Sequence, residues 1–81
     1  MFKLIKNLLT KIGDEMRIEI LLKEVRIRKN ISLVRLSKKT GISKTHINDI
    51  ENEIKEPSFS MMVRLAKGLD VNINELYKVI W

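Results

Sequence analysis

Apolar residues recur along most of this chain at the spacing of an α-helix. The first set on one helix face, at i, i+3, i+4 and i+7, is Ile18, Leu21, Leu22 and Val25. It predicts a first body helix over residues 17–29. The same periodicity predicts four more helices, over residues about 33–39, about 43–52 and about 59–69 and in a last stretch with Ile73, Leu76, Tyr77 and Ile80. The pattern therefore favours an all-α body of five helices.

Short polar residues mark the starts of these helices. A serine at an N-cap accepts a hydrogen bond from a backbone N–H that has no partner inside the helix. Ser32, Ser43 and Ser58 hold that position before the second, third and fourth helices. Asn72 and Glu75 have the spacing of a capping box, which predicts the start of the fifth helix.

A tight turn joins the second and third helices within the stretch from Leu33 to Ile50. Gly41 lies in this turn, where a positive φ is needed and glycine adopts it without steric cost. Ser37 is small, as a residue must be where two short helices cross closely. This arrangement is typical of a helix-turn-helix, in which the second helix of the pair enters the major groove of DNA.

The third helix has one apolar and one polar side. Ile47, Ile50 and Ile54 share the face that we expect to turn inward. The outward side then carries Thr45, Asn48, Asp49 and Asn52, with Lys44 on the flank. Outside a helix-turn-helix these would be read as ordinary solvated residues. Within one, Asn matches adenine, Lys matches guanine or a phosphate, and Asp accepts a hydrogen bond only from cytosine.

Residues 1–15 form an amphipathic extension that precedes a domain over residues 16–81. Its apolar stripe is Ile5, Leu8, Leu9 and Ile12, and Lys3, Lys6 and Lys11 lie elsewhere on the helical wheel. Three interpretations stay open. The stripe packs on the body or on a second subunit, or the segment is a poorly ordered extension before a natural start at Met16, or it binds a membrane surface. A signal peptide is excluded because lysines interrupt the apolar stretch and no small-residue cleavage site follows.

Composition narrows the class of function. The chain has 81 residues, no Cys, one His and a formal net charge of +6, so no disulfide, thiolate metal site or cofactor is expected. Residues 17–44 carry nine Lys/Arg against two Glu, a net of +7, whereas residues 45–81 carry four against six Asp/Glu, a net of −2. The positive charge of residues 17–44 favours binding to a polyanionic partner. No apolar run approaches the roughly 20 residues that span a bilayer, and we expect a cytoplasmic protein that is not an enzyme.

The ordered set of residues from Leu36 to Asn72 resembles the Cro/repressor (XRE-type, lambda repressor-like) helix-turn-helix family. Its signature positions are matched by Leu36, Ser37, Gly41, Ile42, Ile47 and Ile50, and its next segments by Ile50-Glu51-Asn52, Pro57-Ser58 and residues 65–72. The resemblance covers about residues 18–77. It implies a five-helix DNA-binding domain and a transcriptional regulator, with repression by promoter occlusion as the usual mode. The extension over residues 1–15 lies before the family pattern.

The resemblance also assigns roles to particular residues. Base reading is expected from Lys44, Thr45, Asn48 and Asp49, and phosphate contacts from Ser43, Arg28, Arg35, Lys38, Lys39, His46, Asn52 and Lys55. A structural ion pair is expected between Arg26 and Glu51. This chain has Leu33 where the family commonly has a DNA-contacting Gln. It has Glu53 where the family prefers Gly, so we expect Asn52 to end the helix in the left-handed conformation.

Two kinds of partner follow from the same reasoning. A homodimer is expected, held by the apolar C-terminal residues Tyr77, Val79, Ile80 and Trp81. The alternative function is a protein-interaction module of the same fold, such as an antitoxin or a partner of another regulator. In that case the N-terminal segment is a candidate for holding the partner protein.

Overall fold

The computed structural model describes residues 16–81, and the predicted stripe over residues 5–12 lies outside them. The described elements, in order, are β1 (Arg17–Ile20), α1 (Leu22–Arg28), α2 (Leu33–Thr40), α3 (Lys44–Glu51), α4 (Phe59–Leu69), a 3-10 helix (Ile73–Glu75) and β2 (Tyr77–Ile80). The second, third and fourth predicted helices are confirmed to within a residue or two at each end.

The prediction of an all-α body with five helices needs correction at both ends of residues 16–81. Residues 17–20 form a strand rather than the start of a helix, and the predicted fifth helix is one 3-10 turn followed by a strand. The two strands pair antiparallel, with Arg17 opposite Ile80 and Ile20 opposite Tyr77. Charged and apolar residues alternate in β1, so its side chains also satisfy the two-residue period of a strand. The hydrogen-bonded pairing of β1 with β2 stabilises the strand, so residues 17–20 adopt the two-residue period and not the helical one.

One continuous core holds the helices together. Its seven fully buried side chains are Leu22, Leu36, Ile47, Ile50, Leu65, Leu69 and Leu76. They come from α1, α2, α3 and α4 and from the residue just before β2, so every helix contributes to the same interior. Ile20 and Tyr77, which face each other across the sheet, pack against this core. The sheet is thereby anchored at one end.

The N-cap predictions are confirmed for three helices. Ser32, Ser43 and Ser58 each accept a hydrogen bond from the backbone N–H three residues ahead, at 3.1 Å. The capping box between Asn72 and Glu75 is also present, but it opens the 3-10 helix instead of an α-helix. Local signals therefore located the starts of these elements correctly.

The helices α2 and α4 approach each other at Gly68. A Cβ on this residue would lie 2.6 Å from Cγ2 of Thr40 and 3.1 Å from Cδ1 of Leu36. A Cβ does not fit at the first distance unless the Thr40 side chain or one of the two helices shifts. The absence of a side chain at Gly68 therefore lets α4 pack closely against α2, the helix that precedes the turn.

Candidate nucleic-acid interface

The turn between α2 and α3 is fixed by backbone conformation and by hydrogen bonds. Gly41 has φ of +73° and its N–H donates to the carbonyl of Ser37 at 2.9 Å. The Thr40 hydroxyl donates to the Leu36 carbonyl at 2.8 Å and accepts from the N–H of Ile42 at 3.2 Å. These contacts set the angle at which α3 leaves the turn.

Arg64 supports the same turn from α4, and sequence reasoning missed it. Its Nη2 donates to the carbonyl oxygen of Thr40 at 2.6 Å. This carbonyl is in the last turn of α2, where backbone oxygens lack partners inside the helix and a cation is favoured. Arg64 and Thr40 are 24 residues apart, so no local pattern in the sequence signals the contact.

The predicted reading helix presents one polar side to solvent. Ile47 and Ile50 are fully buried, and this fixes the rotation of α3 about its axis. Lys44, Thr45, Asn48 and Asn52 are all exposed on α3 or at its C-cap. The spacing of Thr45, Asn48 and Asn52 places them along one outer strip.

Two predicted contact residues of α3 are less exposed than their neighbours. Asp49 is half-buried, with 20% of its side chain exposed, and its Oδ2 lies 3.7 Å from Nζ of Lys55. This contact brings a predicted base reader together with a predicted phosphate contact. His46 is also half-buried, and its backbone N–H donates to the N-cap Ser43.

The end of α3 differs from the prediction. Asn52 has φ of −92°, whereas Glu53 has φ of +58°. Asn52 is the C-cap and so ends the helix as expected, but the left-handed residue is Glu53, at the position where the family prefers Gly. The left-handed conformation expected for Asn52 is therefore wrong. The chain then leaves the helical path, so Ile54 does not continue the inward face: its side chain is 69% exposed.

An ion pair joins the first helix to the reading helix. Arg26 donates to both carboxylate oxygens of Glu51, from Nε at 2.6 Å and from Nη2 at 3.1 Å. Its Nη1 also donates to the carbonyl of Ile31 at 3.0 Å. Only 13% of the Arg26 side chain and 2% of the Glu51 side chain are exposed. The hydrogen bonds that the guanidinium donates to Glu51, with the attraction of that carboxylate's charge, raise the pKa of Arg26 against the opposing effect of burial.

The remaining predicted phosphate contacts surround this frame. Arg35, Lys38 and Lys39 are exposed on α2, and Ser43 is exposed at the start of α3. Arg28 is exposed as well, but its Nη2 lies 3.1 Å from Oε1 of Glu75 in the 3-10 helix. The structure thus leaves the α2 cations facing solvent and draws Arg28 toward the C-terminal elements.

The predicted dimerisation residues lie in and after β2 rather than on a helix. Tyr77, Val79 and Ile80 are half-buried, and 81% of Trp81 is exposed. The sheet contains two strands within residues 16–81, so one edge of β2 faces β1 and its other edge is not paired with a described strand.

Residues 16–81 lack two other kinds of feature, a metal-binding cluster and a membrane-spanning helix. They contain no group of three or more His, Asp or Glu side chains that could hold a metal ion. No helix among them is long and apolar enough to cross a membrane.

Comparison with known proteins places this geometry in a family. A family model described as "Helix-turn-helix" matches residues 22–76, which is most of the chain. Among solved structures, the restriction-modification controller protein C.AhdI from Aeromonas hydrophila is similar with a TM-score of 0.65 and 26% sequence identity, covering 67% of this chain and 82% of that one. No curated protein matches. The chain thus belongs to the XRE-type helix-turn-helix family of DNA-binding transcription regulators.

Proposed function

We propose that this protein binds specific double-stranded DNA sequences as a homodimer and represses transcription, with α3 reading the major groove. The observation that carries this proposal is the polar outer strip of α3, held in place by two fully buried isoleucines beneath it. A helix presented in this way matches the docking of the second helix in a helix-turn-helix.

Base reading is assigned to the exposed side of α3. Asn48 carries a donor and an acceptor side by side, which match N6 and N7 of adenine. Lys44 suits guanine or a phosphate, and Thr45 offers a methyl group to thymine. Asp49 is the fourth member of this set. Its contact with Lys55 offsets the repulsion that a lone carboxylate near phosphates would experience.

Phosphate contacts are assigned to the basic residues beside α3. The exposed cations Arg35, Lys38 and Lys39 precede the turn, and Ser43 caps the helix whose N-terminus favours an anion. The further candidates are His46 on α3, Asn52 at its C-cap and Lys55 in the loop that follows. Arg28 takes part only if DNA competes with its ion pair to Glu75.

A dimer gives such a regulator enough sequence information. One reading helix contacts a few base pairs, whereas two helices spaced one DNA turn apart, about 34–36 Å, read a two-fold site. We assign the dimer contact to Tyr77, Val79, Ile80 and Trp81, because Trp81 is an exposed aromatic residue next to the available edge of β2. The similarity to a restriction-modification controller protein supports a regulatory role.

Selection of bound sites from a random DNA library tests the proposal directly. The expected result is a preferred two-fold site whose affinity falls steeply with salt, by about 0.9 in log affinity per log salt for each phosphate neutralised. A flat response to salt, with no enriched site, contradicts DNA binding. A promoter carrying the selected site should then give less transcript in vitro when the protein is added, and an increase would contradict repression.

The assignment of α3 as the reader is tested by Asn48→Ala. Loss of a bidentate contact to adenine should cost about 1–3 kcal/mol on the preferred site and relax the preference at one base pair. Asn74→Ala is the matched control, since Asn74 is also an exposed asparagine but lies in the 3-10 helix. If Asn48→Ala selects the same sites as the parent with unchanged ranking, the base contacts are assigned to the wrong helix.

A further inference from the structure

A groove of about 440 Å³ separates the sheet from the loop between α3 and α4. Its lining residues are Met16, Arg17, Ile18, Ile20, Glu53, Ile54, Lys55, Glu56 and Pro57. Five of these nine are apolar. Two of the five are unusually exposed for isoleucine, since 47% of Ile18 and 69% of Ile54 is accessible to solvent. The groove therefore offers apolar surface at a place where neither wall is covered by the described residues.

We propose that the protein's own N-terminal segment, residues 1–12, docks in this groove through its apolar stripe. The stripe is Ile5, Leu8, Leu9 and Ile12. A helix as short as this segment is marginal in water unless its apolar face packs against something. The groove supplies apolar contacts of the kind that the stripe needs, and burial of both surfaces stabilises the docked arrangement.

Chain connectivity favours this occupant over a second molecule. Met16 lines the groove, and four residue steps separate it from Ile12. Four extended residues reach at most about 14 Å, so the stripe is held close to the groove. A short tether of this kind gives an effective concentration in the millimolar range, which a separate chain reaches only in very concentrated solution. Gly13, within this link, lets the chain turn back.

Charge favours the same pairing. The segment carries Lys3, Lys6 and Lys11 on the faces away from the stripe. The loop wall of the groove carries exposed Glu53 and Glu56, while its Lys55 is paired with Asp49. Arg17 is the cation of the opposite wall. With the stripe docked, these lysines would stay outside the apolar contact, near the rim of the groove where the loop side carries two carboxylates.

Disulfide trapping in the full chain tests the docking, since the protein has no Cys of its own. Leu8→Cys, Leu9→Cys or Ile12→Cys is combined with Ile54→Cys. A disulfide needs Cα atoms about 4.4–6.8 Å apart, so at least one of these pairs should oxidise rapidly within a single chain. Asn7→Cys with Ile54→Cys is the control for the opposite helix face. Leu8→Cys with Val34→Cys is the control for an exposed site on α2 that does not line the groove.

The gel mobility of the oxidised product separates the outcomes. A fast-migrating monomer with an internal disulfide, formed by a stripe residue and not by the two controls, supports docking in cis. A covalent dimer as the main product assigns the groove to a second copy and overturns the proposal. Equal oxidation rates for the stripe pairs and the controls also overturn it, because they mean random collisions.

Thermal unfolding gives an independent readout. Leu8→Asp removes a stripe residue and should lower the melting midpoint by about 4–8 °C, the shift that loss of one modest apolar contact produces in a domain of this size. Asn7→Asp adds a similar charge on the opposite face and should leave the midpoint nearly unchanged. When Ile54→Asp has already disrupted the groove, Leu8→Asp should have little further effect. Additive shifts would contradict contact between the two sites.

Discussion

The helix-turn-helix and the two-stranded sheet differ in how many independent contacts hold them. The pair α2 and α3 rests on a shared core, two serine N-caps, a left-handed glycine and contacts that reach it from α1 and α4. The sheet is a single antiparallel pair anchored at Ile20 and Tyr77, while Ile18 and Trp81 extend into solvent.

The helix-turn-helix is therefore held rigid, whereas the sheet has exposed surface that can contact another segment or molecule. A reading helix must hold its side chains in one orientation toward the bases, and the contacts around α3 provide that constraint. Apolar groups that are exposed next to one another, in contrast, can contact another segment or molecule. The molecule thus combines a fixed frame with an end that has surface left for further contacts.

The largest expected effect comes from Glu51→Ala. It leaves the guanidinium of Arg26 largely buried without its partner, and breaking a buried ion pair in this way costs about 3–5 kcal/mol of unfolding free energy. Chemical denaturation measures this loss. Arg28→Ala, which breaks the exposed pair with Glu75, is the control and should cost about 1 kcal/mol or less.

The paired replacement Arg26→Met with Glu51→Leu sharpens the same test. Apolar residues of similar volume often replace a buried ion pair without loss of stability, so the double variant should be more stable than Glu51→Ala alone. An unchanged midpoint for Glu51→Ala would show that the pair does not hold α1 to α3.

Gly68→Ala is expected to have the next largest effect. Its Cβ would lie too close to Thr40, so the Thr40 side chain or one of the two helices must shift, and overpacking of this kind costs about 1–3 kcal/mol. The carbonyl of Thr40 also accepts the hydrogen bond from Arg64 that supports the turn before α3. DNA affinity should therefore fall together with stability. Lys67→Ala, at an exposed position of the same helix, should leave both nearly unchanged. Equal behaviour of the two variants would argue against a close fit at the turn.

The double variant Ile80→Ala, Trp81→Ala tests the sheet end. The free energy of unfolding of each chain should fall by about 1 kcal/mol or less, because one residue is half-buried and the other is mostly exposed. Sedimentation velocity should nevertheless show a shift toward monomer. Phe59→Ala removes another exposed aromatic residue, on α4, and should leave assembly unchanged. A double variant that stays dimeric moves the contact elsewhere.

The smallest expected effect is that of pH on the Arg26 pair. Because the folded state raises the pKa of Arg26, this stabilisation is complete below the ordinary arginine value and is lost only as pH rises through the raised one. The raised pKa of Arg26 should therefore not make the free energy of unfolding depend on pH between about pH 6 and pH 9. Comparing the pH profiles of the parent and of the paired variant Arg26→Met, Glu51→Leu measures it, since the single Arg26→Met variant would leave the buried Glu51 carboxylate without its partner. A difference that changes across this range would contradict the assignment.

Local chemistry explains which parts of the fold could be predicted. The N-caps Ser32, Ser43 and Ser58 and the positive φ of Gly41 depend on neighbours in the sequence, and all four are confirmed. The strands depend on pairing between Arg17 and Ile80, which no local pattern contains. Spacing alone is ambiguous there, because short apolar stretches satisfy both helical and strand periods.

The candidate site was predictable to a similar extent. The inward rotation of Ile47 and Ile50 follows from their spacing, and it fixes which α3 residues face outward. The extrapolation to Ile54 failed because the left-handed conformation at Glu53 ends the helical path before it. The contacts of Arg28 with Glu75 and of Asp49 with Lys55 could not be anticipated, as they depend on where the loops bring those side chains. The DNA contacts themselves stay predictions.

The antiparallel register of the sheet also sets an order of events during synthesis. Arg17 leaves the ribosome early, but its partner Ile80 is made more than sixty residues later. The segment between these two residues contains the helices from α1 to α4 and most of the core. Closure of so long a loop costs entropy that local helical contacts do not. We therefore expect the helices, including α3, to pack before the sheet closes.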